Sequence, residues 1–76
     1  MTPSPAITVG SYVTVSDPVR DRAQSFRLVE GAGDPRHGAI SSESPVGRAL
    51  AGHHVGDTVA VSAPAGERRL LVIALA

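Results

Sequence analysis

The chain has 76 residues, which is room for one small domain and no second core. Seven arginines balance seven acids, no lysine occurs, and only Tyr12 and Phe26 are aromatic. Such a chain lacks the excess positive charge and the stacking platform of a free-standing nucleic-acid binder. Without cysteine it has neither a disulfide nor a thiolate metal site, which fits a reducing, cytoplasmic location. With 42% hydrophobic residues it reads as folded, with an aliphatic core. No apolar run reaches the ~20 residues of a membrane-spanning helix, and no signal peptide is visible.

Residues 1–6 read as a loose, flexible tail, because two prolines in five residues prevent regular pairing. Residues 7–76 then form the domain. The run from Ile7 to Gly10 and on through Ser16 alternates, with Val13 and Val15 on one face and Tyr12, Thr14 and Ser16 on the other. This is a half-buried strand rich in β-branched residues. Asp17-Pro18 breaks it, and Val19 to Ala23 reads as a hairpin loop. Ser25 to Glu30 alternates again, with Phe26 and Leu28 inward and Arg27 outward.

Gly31 to Gly38 is turn chemistry, with three glycines and a proline in eight residues. Ala39 to Ser42 predicts a short third strand leading into a helix. Ser44 can cap that helix, and Pro45 sits where a missing N–H costs nothing. Val46, Ala49 and Leu50 form one apolar stripe, and Gly52 supplies a left-handed stop. Val55-Gly56-Asp57 reads as a turn before the strand Thr58–Ser62, whose Val59 and Val61 share a face. Ala63 to Glu67 reads as a hairpin turn, and Arg68 to Ala74 as the last strand. There Leu70, Val72 and Ala74 share one face, and Leu71, Ile73 and Leu75 the other. Two apolar faces predict a central strand, or one that meets a partner. The order strand, strand, short strand, helix, strand, strand predicts an α+β domain with a mostly antiparallel sheet of about five strands around one short helix.

Catalytic and metal chemistry find little support. The serines sit in no nucleophile elbow, and Gly31-Ala32-Gly33 lacks the later glycine and following helix of a phosphate loop. His37, His53 and His54 match no zinc spacing and read as solvated loop residues. Asp34 and Asp57 have simple turn roles. Glu43, just before the helix cap, is favoured by the helix dipole, and Arg48 reads as an exposed flank.

The run Ser44-Pro45-Val46-Gly47-Arg48-Ala49-Leu50, followed by Gly52 and Val55-Gly56-Asp57, resembles the C-terminal domain of the Gre transcript cleavage factors. Val9-Gly10-Ser11, the loop Asp34–Gly38 and the turn Pro64-Ala65-Gly66-Glu67 resemble other parts of that domain, so the likeness spans roughly residues 7–75. It implies an FKBP-like fold and a task as a non-catalytic, cofactor-free domain binding bacterial RNA polymerase. The implied dock is a coiled coil of the largest subunit, at the rim of the secondary channel. Glu43, Ser44 and Pro45 are the implied first contacts, with Val46 and Arg48 next. The family's N-terminal coiled-coil hairpin, with its acidic tip, has no counterpart in residues 1–40. Both a fragment of a longer factor and a stand-alone domain fit that reading, and neither would stimulate RNA cleavage by itself. Two rival readings are an interaction module borrowed by another regulator and a peptidyl-prolyl isomerase, whose pocket would need aromatics beyond Tyr12 and Phe26.

Overall fold

A computed structural model describes residues 5–63 and 66–76. Of the predicted tail, residues 1–4 lie outside the described residues, as do Pro64 and Ala65 of the predicted last turn. The chain runs β1 (Tyr12–Asp17), β2 (Arg22–Val29), a 3-10 turn (Pro35–His37), β3 (Ala39–Ser41), α1 (Pro45–Leu50), β4 (Thr58–Ala63) and β5 (Gly66–Leu75). The strands form one five-stranded sheet in the order β3-β2-β1-β5-β4. Three of its four pairings are antiparallel, and β3 lies parallel to β2, so the sheet is mixed. The 3-10 turn lets the chain come back alongside β2 in the same direction.

The sheet is curled, and the length of α1 shows why. Six residues make a helix about 9 Å long. The edge strands β3 and β4 would lie about 19 Å apart in a flat sheet. Yet α1 contacts both of them. The concave face thus closes over Val13, Val15, Phe26, Leu28, Leu50, Val59, Val61, Leu70 and Val72, all buried. This α+β architecture, with its mostly antiparallel sheet around one helix, is the one the element order predicts.

Four local expectations need correction. Ile7 to Gly10 is not part of the first strand. Gly10 has φ +96°, and Ile7 is pinned instead beside the end of α1, its N–H donating to the His53 carbonyl (2.8 Å). Burying Ile7 there closes one end of the core. The hairpin loop is also shorter than predicted: β2 begins at Arg22, which pairs with Asp17. Asp17 does not merely break β1. It ends the strand buried, at 6% exposure, and its carboxylate accepts the N–H groups of Val19 and Arg20 (both 3.2 Å) and Arg68 Nη2 (3.3 Å).

The fourth correction concerns β5. Val13 pairs with Leu75 but Val15 pairs with Val72, so β5 carries an extra residue opposite Thr14–Val15. A β-bulge of this kind reverses the alternation beyond it. Leu75 therefore turns onto the core, and Ala74 pairs with Thr14 on the outer face. Ile73, beside the bulge, remains 44% exposed. As predicted for a strand with two apolar faces, β5 lies inside the sheet, between β1 and β4.

Candidate functional site

The entrance of α1 is a turn held by two serines. Ser41 Oγ accepts the Glu43 N–H (3.1 Å). The Ser44 hydroxyl donates to the Ser41 carbonyl (2.7 Å) and accepts the Gly47 N–H (3.1 Å). The Ser44 N–H donates to that same carbonyl (3.1 Å). The predicted cap is therefore formed, with Pro45 at the first helical position. One step earlier, the Ser42 N–H donates to the Val29 carbonyl (2.8 Å) and ties the turn to the sheet.

Two glycines allow this compactness. A Cβ on Gly47 would fall inside any van der Waals separation from the Ser41 carbonyl oxygen and 2.9 Å from Ser42 Cα. A Cβ on Gly33 would meet the Ala39 oxygen and the Ser41 nitrogen, each at 2.7 Å. The sequence holds a signal for the first: glycine inside a helix costs about 1 kcal/mol against alanine, so its presence marks a close approach.

The predicted contact residues divide by exposure. Glu43, Pro45 and Arg48 are exposed, Ser44 is half-buried by its capping bonds, and Val46 is half-buried against the core. Among the described residues no ion pair engages Glu43 or Arg48. Beside them, Gly33, Ala39, Ile40, Ser41, Ser44 and Val46 line a shallow apolar groove of about 250 Å³. The turn thus presents a free carboxylate and a rigid proline ring next to an apolar depression.

Val55-Gly56-Asp57 has a different task. Gly56, at φ +97°, donates its N–H to the Val72 carbonyl (2.8 Å), and the Val72 N–H donates to the Asp57 carbonyl (2.9 Å). The motif thereby sets the start of β4 against β5. The Asp57 carboxylate accepts the His54 N–H (2.9 Å) and pairs with His53 Nδ1 (3.1 Å), while His54 Nδ1 lies 3.9 Å away. The two neighbouring histidines therefore converge on one carboxylate. No group of three metal-ligating side chains forms among the described residues. Nor do the two aromatics share a pocket: Phe26 is in the core, whereas Tyr12 is exposed, its ring 5.7 Å from the Arg27 guanidinium.

The His54 N–H and the His53 side chain hold the Asp57 carboxyl below its ordinary pKa of 3.8. For Asp17, burial acts to raise the pKa, but the Arg20 N–H and Arg68 together hold it below 3.8. A carboxyl depressed in the folded state stabilises fully above its unfolded pKa, and that contribution is lost as pH falls through the folded value. The expected result is a melting temperature that drops below about pH 4, with the drop reduced in Asp57→Asn. Thermal melts across an acid series check it, and an unchanged acid limb in the variant would refute the role of Asp57.

Comparison with known proteins places these features. The family model "Transcription elongation factor, GreA/GreB, C-term" matches residues 2–76. Transcription elongation factor GreA of Clostridium beijerinckii is 40% identical over 74 residues, covering 96% of this chain and 46% of that protein. GreA of Clostridium novyi is 47% identical over 62 residues, covering 80% and 39%. The chain thus spans less than half the length of these curated relatives. Among solved structures, GreA factor homolog 1 of Thermus thermophilus superposes with a TM-score of 0.81 at 33% identity, over 96% of this chain and 49% of that one. The GreA/GreB factor of Nitrosomonas europaea gives 0.76 at 26% identity, over 97% and 63%. With the capped helix entrance, the turn that sets β4 and the curled sheet all in place, the chain belongs to the GreA/GreB family of transcription elongation factors, matched along that family's C-terminal domain.

Proposed function

We propose that this domain binds bacterial RNA polymerase through the entrance of α1, docking on the largest-subunit coiled coil at the rim of the secondary channel. In this reading it is a positioning module of the transcription machinery in the cytoplasm and supplies no catalytic group. The observation that carries the proposal is the exposed Glu43 carboxylate, unpaired among the described residues, beside Pro45 on a turn fastened by Ser41 and Ser44. A turn already ordered loses little entropy on binding, so a modest contact area suffices for specific docking. A free acid there complements a basic helix surface and steers encounter. Arg48 and the exposed edge of Val46 extend the same surface.

The test is titration of the purified chain into core RNA polymerase, followed by fluorescence anisotropy. Glu43→Lys is expected to weaken binding about tenfold or more, equivalent to about 1.4 kcal/mol, with an unchanged melting temperature. Pro45→Ala should weaken it less, through loss of a stiff apolar contact. An intact Gre factor should displace the wild-type chain. Binding that survives both substitutions would remove the site assignment. Binding that an intact Gre factor does not displace would favour the borrowed-module reading.

A further inference from the structure

The concave face changes character at the end of the sheet away from the helix entrance. Alternation along β1 places Asp17 on the same face as Val13 and Val15. Along β2 it places Arg22 and Gln24 with Phe26 and Leu28, and along β5 it places Arg68 with Leu70 and Val72. The pairings Asp17↔Arg22 and Val15↔Gln24 confirm the shared face. Three adjacent strands therefore turn polar in steps on the face that elsewhere forms the core: β2 at Gln24, opposite Val15, β1 at Asp17, opposite Arg22, and β5 at Arg68, two residues before Leu70. The result is a cavity of about 360 Å³ whose wall includes Arg20, Arg22, Gln24 and Arg68 and whose floor includes Val15 and Leu70.

Three arginines line the cavity together with one acidic residue, Asp17. Asp17 takes a hydrogen bond from Arg68 Nη2 at 3.3 Å and lies 3.9 Å from Arg20 Nε. Arg68 Nε is buried with no acceptor among the described residues. The guanidinium of Arg22 joins no ion pair among the described residues. Of the other acids nearby, Glu67 pairs with Arg69 (3.9 Å), and Asp21 does not line the cavity. A guanidinium offers five N–H donors in a planar fork suited to tetrahedral or carboxylate oxyanions. Asp17 thus sets the position of two arginines and leaves most of their donors free.

We propose that this cavity binds a phosphate group, held by Arg20, Arg22 and Arg68. Several arginine forks around one opening favour phosphate, whose oxygens accept bidentate bonds from more than one of them. The volume is near the lower end for small-molecule sites, so it admits a mononucleotide-sized ligand. The same chemistry is carried by a free nucleotide and by a polynucleotide backbone. This site lies apart from the α1 entrance and does not depend on polymerase docking.

The experiment is an NMR titration of the chain with adenosine monophosphate, adenosine and a short oligoadenylate without a terminal phosphate. Saturable shifts at Ala23, Gln24 and Leu70 with the monophosphate, absent with adenosine, are the expected result. Tighter binding of the oligomer, weakening steeply with salt, would assign the phosphate source to a polynucleotide backbone. Binding of the monophosphate alone would assign it to a free nucleotide. The Arg20→Gln/Arg22→Gln double variant, which spares the Asp17–Arg68 pair, should bind at least tenfold more weakly, whereas Arg36→Gln, outside the cavity, should not change. Equal shifts with adenosine, no saturation at millimolar ligand, or equal losses in both variants would overturn the proposal.

Discussion

Gly47→Ala is expected to destabilise the domain by about 3 kcal/mol and to abolish docking through the helix entrance. Two effects oppose each other at this position. Helix propensity alone favours alanine by about 1 kcal/mol. Packing opposes it, because the new Cβ would collide with the Ser41 carbonyl and crowd Ser42 Cα. These are backbone atoms, and the Ser41 oxygen already accepts both the hydroxyl and the N–H of Ser44. No flexible side chain can move aside, so relief requires shifting the turn that presents Glu43. Packing wins. Circular dichroism melts of wild type and G47A decide the matter, and a higher melting temperature in the variant would refute the close approach.

Leu50→Ala should be comparably severe for a different reason. Leu50 is 0% exposed, and it anchors α1 in the hollow of the curled sheet. Truncating a buried leucine costs about 2–5 kcal/mol, through lost transfer free energy and the cavity left behind. A domain of this length has a total stability of about 4–11 kcal/mol on the usual per-residue scale. The variant should therefore melt at least about 10 °C lower, or fail to fold. Urea titration reads the loss directly, and a change below about 1 kcal/mol would show that α1 is not held by this residue. Against these two, Glu43→Lys is the informative contrast, since it should affect binding and leave stability unchanged.

Much of the architecture was legible because its signals are local. The serine cap and the proline at the first helical position set the start of α1 through the backbone geometry of a few neighbouring residues, and Gly52, at φ +86°, forms the turn that carries the chain away after Ala51. Alternation in Val13–Val15, Phe26–Leu28 and Val59–Val61 marks the inner faces of β1, β2 and β4, because side chains on a strand repeat every two residues. The family pattern around Ser44 and Asp57 was readable for the same reason: each half is a turn whose residue types are dictated within a few positions.

Other features depend on partners distant in the chain. The bulge that turns Leu75 inward exists only because β5 pairs with β1, some sixty residues earlier. The parallel placement of β3 follows from where the turn after β2 lands. Asp17 looks like a strand breaker until Arg68 is brought beside it across the sheet, and the arginines of the cavity come from strands at opposite ends of the sequence. By itself, then, the sequence determined the elements, the capped entrance of α1 and the kind of core. Only the tertiary structure decided the register, the curl and which charges meet, because those are settled by long-range pairing, which no local run of residues encodes.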